Sequence, residues 1–160
     1  SPDLKPAEVQ KVLKHARAHG WFDGQDPDEE DAKKRLIRYV TEHVGRYGTP
    51  SLLRTGINIK NHSEDWVLLA WKAHVTRRAE SIIERERLSY RPLDVSWLKQ
   101  LAKLSAKDDG PLQAQALLKE HGIVLIVERN IPGMEVDGAA FLVESIPVIG
   151  LKLRREELNN

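Results

Sequence analysis

The chain has 160 residues, 41% of them hydrophobic and 31% charged, the balance of one ordinary globular domain or two small ones rather than a disordered segment. Twenty-five Lys and Arg against twenty-four Asp and Glu leave a net charge of +1, so overall charge supplies no drive toward nucleic acid or anionic membranes. There is no cysteine for disulfide or thiolate chemistry, no run near the roughly 20 apolar residues of a membrane span, and no signal peptide, so a cytoplasmic protein is the expectation.

Helical signals come first along the chain. Pro6 suits a first turn, Val9, Val12, Leu13 and Ala16 recur at helical spacing, and Gly20 ends the run after His19. Asp26-Pro27-Asp28-Glu29 predicts a second helix with Asp26 as its N-cap, running to about His43 with an apolar stripe of Ala32, Leu36, Val40 and Val44. Pro50 to Asn61 reads as a loop or a short turn of helix. A long third helix is expected over Glu64 to Arg87, burying Val67, Trp71, Val75, Ala79 and Ile82 or Ile83. A fourth opens at Asp94, with Leu93 and Leu98 as a hydrophobic staple, and a fifth runs from Pro111 to Glu120 and stops at His121-Gly122.

Beyond Gly122 the pattern changes. Ile123 to Glu128, Ala139 to Val143 and Ile146 to Leu151 are short, apolar and rich in β-branched residues, with Asn, Pro and Gly between them, which predicts three successive strands. The expected fold class is therefore α+β and mostly α: about five helices followed by a three-stranded antiparallel sheet. Residues 1–108 form the helical region and 109–160 the α+β part, with the helix from Leu112 covering the sheet because a small sheet is not stable alone.

Several constellations invite chemistry and each has a plainer reading. His15 and His19 have the four-residue spacing of a zinc helix, but Ala16 stands where a general-base Glu would follow, so a surface histidine pair at a helix C-terminus is expected. The acidic run from Asp23 to Asp31 lacks the alternating ligands, the glycine and the distant Glu of a calcium loop, and reads as capping plus a solvated face. Arg77, Arg78, Arg85 and Arg87 alternate with Glu80, Glu84 and Glu86, the pattern of an exposed charge-laced face rather than a phosphate track; Lys152, Arg154 and Arg155 beside Glu156 and Glu157 read alike. Trp66, Trp71 and Trp97 are expected in the core, while Trp21 and Phe22 either anchor a partner or tether the first helix to the second. No catalytic, cofactor-binding or metal-ligating residue is assigned.

The stretch GIVLIVERNIPGMEVDGAAFLVESIPVIGLKLRREELNN resembles the front half of the ImmA/IrrE family of zinc metallopeptidase domains, most closely over Asp137 to Leu151. In that family an Asp-Gly-Ala-Ala strand and a Pro-Val-Ile strand precede a helix carrying His-Glu-x-x-His. The likeness reaches upstream through Ala70-Trp71, LAKLS and DDGPLQAQALLKEHGI to about Asn58, the middle section of bacterial regulators that join a helix-turn-helix to such a domain, antitoxin-like members included. Residues 1–57 carry no such likeness. Both ends, Ser1 and Asn159-Asn160, read as cut, and the resemblance thus implies a fragment lacking the zinc helix, with no catalysis of its own and zinc only in a longer parent. It implies a protein partner (a toxin, a repressor or a second copy), DNA contacted through a region outside this chain, and no membrane. Small residues Ala139-Ala140 would let the missing helix pack closely on the sheet. The rival expectation is a protein-binding module without proteolysis.

Overall fold

The computed structural model describes residues 6–22, 24, 27–44, 66–92, 96, 99–100 and 110–153. Its elements are α1 (Pro6–Ala18), α2 (Glu29–Val44), α3 (Trp66–Glu86), α4 (Gly110–Glu120), β1 (Val124–Arg129), β2 (Gly138–Val143) and β3 (Ile146–Leu153). The class is α+β and mostly helical, with four bounded helices among the described residues rather than five. The expected helix from Asp94 falls largely outside them, although Ser96, Lys99 and Gln100 are helical. Residues 50–61 and Trp97 also lie outside.

Helix ends follow from local chemistry. The N-cap of α2 is Asp28, whose carboxylate accepts the Asp31 N–H at 2.9 Å, and not Asp26 as the sequence signal had it; the cap must sit next to the first helical residue, Glu29. Three helices end alike, with a residue of positive φ followed by an amide that reaches back five residues. Trp21 N–H donates to the Ala16 carbonyl past Gly20, Leu88 N–H to Ile83 past Arg87, and Ile123 N–H to Leu118 past Gly122. At Gly122 a Cβ would collide with the Ser89 carbonyl, so glycine is required there for space as well as for φ.

Helix α3 is buried nearly all round over its first half, Trp66 to Ala70 and Trp71, because it lies between α1 and α2 on one side and the sheet on the other. Val9, Val12, Leu13, Ala32, Leu36, Val40, Trp71 and Val75 share one core with Val124, Ile126, Phe141 and Val148. A second cluster, Leu118, Ile123, Leu125 and Ile149, lies under α4 on the opposite sheet face. No helix among the described residues is long and apolar enough to cross a membrane.

The sheet corrects the antiparallel expectation: its order is β1-β3-β2, with β3 parallel to β1 and antiparallel to β2. Adjacent apolar runs signal strands but not their order. The β1–β2 connection carries Ile131, Met134 and Val136 into the core through a Pro132-Gly133 turn, with Gly133 at φ 95 and Met134 N–H bonded to the Ile131 carbonyl. β2 and β3 then close a hairpin through Glu144-Ser145, both at positive φ, the two-residue turn that matches strand twist. β3, buried without a break from Ile146 to Gly150, takes the middle. Its Pro147 is tolerated because pairing with β1 begins only at Val148 and Val124.

Candidate functional site

A dense group of polar and aromatic side chains lies where α1, α2, α3 and β1 meet, and the fold rather than the sequence assembles it. Glu128 follows Val124 and Ile126 in strand phase, so the pleat turns its carboxylate toward α3 and into a site where it is only 7% exposed. A buried carboxylate needs partners. Arg78 Nη1 donates to its Oε1 at 3.0 Å, its Oε2 accepts the Arg129 N–H at 2.9 Å, and His74 Nε2 lies 3.3 Å from Oε1. With Nε2–H directed at the carboxylate, Nδ1 is left as an acceptor, and the Tyr39 hydroxyl stands 3.2 Å from it. The result is a phenol–imidazole–carboxylate chain joining α2, α3 and β1.

Aromatic packing seals this chain. Trp21 stacks on His74 with ring centroids 4.3 Å apart and planes within 5°. Arg77 lies over the Tyr39 ring and donates from Nη1 to the Trp21 carbonyl, while His43 Nδ1–H donates to the Tyr39 carbonyl at 2.7 Å. Burial pushes the Tyr39 phenol well above its ordinary range, against the pull of Arg77, so it acts as a neutral hydroxyl. Chemically the group can hold a proton along a fixed line, and mechanically it locks three elements together.

The sequence-picked residues meet only in part. His15 and His19 approach with ring centroids 4.5 Å apart, but His15 is buried rather than a surface group; it packs edge-on against Trp21 because the end of α1 folds inward. Burial, helped by His19 and Arg129, lowers its pKa from 6.5 to about 4, so it is neutral near pH 7. Neither His15 Nε2 nor Trp21 Nε1 has a hydrogen-bond partner among the described residues. No group of three or more metal-ligating side chains occurs among them either. Trp21 is the tether of α1 to α2 and α3, and Trp66 and Trp71 are core. Arg77 and Arg78, expected on a charge-laced face, also reach inward, to the Trp21 carbonyl and to Glu128. Lys152 donates to the Met134 carbonyl, while Asp23, Asp26 and residues 154–157 lie outside the described residues.

Tyr39, His74 and Glu128 were missed by pattern reading. The available signal was Glu128 itself, a carboxylate in phase with core positions at the end of an apolar run, which a sheet buried on that face must pair. Away from this cluster, a slot of about 270 Å³ opens between α3 and α4, lined by Ile82, Arg85, Leu112, Ala116, Lys119 and the start of β1. Compared with protein-family models, curated proteins and solved structures, the chain finds no match in any of the three.

Proposed function

We propose that this chain is the scaffold portion of a cytoplasmic bacterial regulator or antitoxin-like protein with an ImmA/IrrE-like domain, coupling a regulatory helical region to that domain without itself supplying catalytic residues. The observation that supports it most is the second face of the sheet. α4 covers Leu125 and Ile149 there, while Ala140, Leu142, Leu151 and Leu153 stay half-buried. An apolar face of that kind, edged by a small residue, suits a further helix, and the resemblance over Asp137 to Leu151 names a zinc helix as the one to follow. Any zinc would be held by that helix. The test is to express the natural gene with whatever coding sequence follows Asn160 and to measure zinc per chain and cleavage of a co-expressed repressor. A following His-Glu-x-x-His with one zinc per chain supports the reading; a product with neither refutes it.

The second reading is a protein-binding module that performs no proteolysis. The slot between α3 and α4, with 71%-exposed Leu112 at its rim, favours it. Such a module retains its partner when the complete product binds no metal.

A further inference from the structure

We propose that the slot between α3 and α4 is a docking site for an extended acidic peptide segment of a partner protein, which adds to the outer edge of β1. The proposal deepens the binding-module reading of this slot and uses neither the half-buried residues of β2 and β3 nor the family resemblance, so it stands or falls apart from the peptidase-like reading.

Among the described residues the order β1-β3-β2 makes β1 an edge strand. A strand's backbone groups alternate in direction, and on β1 the outward carbonyls are identified by what bonds them. Leu125 accepts from Gln115 Nε2 at 3.1 Å, Val127 from Arg78 Nη1 at 2.9 Å and Arg129 from Trp71 Nε1 at 3.1 Å. Natural edges are blunted in such ways against unwanted pairing. The three guards are not equally fixed. Trp71 is fully buried and Arg78 is held by Glu128, which closes the end of the edge. Gln115 is a half-buried amide on α4, and it occupies the place that the N–H of an incoming strand would take. The start of β1 is therefore the part that opens.

The walls of the slot state what would enter. Leu112, Ala116 and Lys119 fall on one face of α4, Ile82 and Arg85 face them from α3, and buried Ile123, Val124 and Leu125 form the floor. The apolar floor takes side chains, and the two charged lining groups are both cations. Lys119 pairs at 3.4 Å with half-exposed Glu86, an arrangement that a competing carboxylate can replace. At about 270 Å³ the space takes one or two anchoring side chains. An extended segment alternates its side chains, so apolar residues enter the slot while acidic ones meet Arg85 and Lys119.

The experiment titrates a fluorescein-labelled acetyl-Glu-Leu-Glu-Leu-Glu-amide peptide, and its counterpart with Lys for Glu, into the full chain at low salt, read by anisotropy and by amide chemical shifts. The acidic peptide is expected to bind about tenfold more tightly than the basic one and to shift the Leu125 and Val127 amides. Arg85→Glu with Lys119→Glu, both at exposed positions, should reverse the preference, and Gln115→Ala should strengthen acidic binding by removing the competing amide. Equal binding of both peptides, shifts confined to other surfaces, or no saturable binding to wild type and Gln115→Ala alike would overturn the proposal. Circular dichroism of each variant separates lost binding from lost fold, and Arg85→Ser, expected to weaken acidic binding severalfold, serves if the reversal does not fold.

Discussion

Gly150→Ala adds a single methyl group where α3 rests on the middle strand. A Cβ built there would stand 2.9 Å from Trp71 Cη2 and 3.2 Å from both Trp71 Cζ3 and Val75 Cγ1. Neither neighbour has room to move, since Trp71 and Val75 are fully buried and the indole is also held by its bond to the Arg129 carbonyl. Overpacking of this kind costs about 1–3 kcal/mol, whereas the loss of chain entropy in the unfolded state favours alanine by only about 0.4–1 kcal/mol. A net destabilisation of about 1–2 kcal/mol is expected. In urea, with a slope of about 1–3 kcal/mol/M, the midpoint should fall by roughly 0.5–1 M. Trp71→Phe removes the ring atoms that meet the methyl but leaves a cavity and the Arg129 carbonyl without its donor, so alone it should cost about 2–3 kcal/mol. Combined, the two changes should cost at least about 1 kcal/mol less than their sum, because the methyl fills space the indole has left. A Gly150→Ala protein as stable as wild type, or a double mutant additive within about 0.5 kcal/mol, would refute the packing argument.

Acid should unfold the protein partly through His15. Its folded pKa of about 4 lies below the ordinary 6.5, so the unfolded chain binds the proton more tightly and stability falls as pH drops from 6.5 toward 4, by up to about 3 kcal/mol. His15→Leu should flatten that part of the stability-against-pH curve measured by urea titration; an unchanged slope would assign the acid sensitivity elsewhere. Glu144→Asn with Ser145→Gly should raise stability by about 1 kcal/mol, because both turn positions have positive φ, and Arg87→Gly should do so by about 0.5–1 kcal/mol for the same reason. A lower melting temperature in either variant would contradict the assigned turns. Glu128→Gln should cost about 1–3 kcal/mol by weakening the bonds from Arg78 and His74, with Tyr39→Phe at about 1 kcal/mol. A double-mutant cycle that shows no coupling between them would mean that the chain through His74 is not continuous.

Much of the local structure was legible in the sequence because local rules decide it. Apolar spacing marked α1, α2 and α3, Gly20 and Gly122 marked two helix ends, and the β-branched runs marked all three strands. What failed was also local at first sight. Asp28 displaced Asp26 as the cap because two aspartates lie within three positions of the helix start and the one next to Glu29 takes the role, and Arg87 adopts a conformation that composition assigns to glycine.

The larger misses depend on distance in the chain. Strand order could not be read, since a parallel β1–β3 pair and an antiparallel hairpin have the same one-dimensional pattern of apolar runs. Tyr39, His74 and Glu128 lie on three elements far apart in sequence, and no spacing relates them; only the stacking of α3 between the helices and the sheet brings the phenol, the imidazole and the carboxylate into one line. His15 likewise read as a surface histidine until the turn at Gly20 placed Trp21 against it. The sequence by itself determined which segments are helix or strand and which of their faces are apolar, because propensity, capping and periodicity act within a few residues. Tertiary structure alone decided strand order, the pairing of the buried charge and the opening at the β1 edge, because each depends on contacts between segments that burial of the shared core brings together.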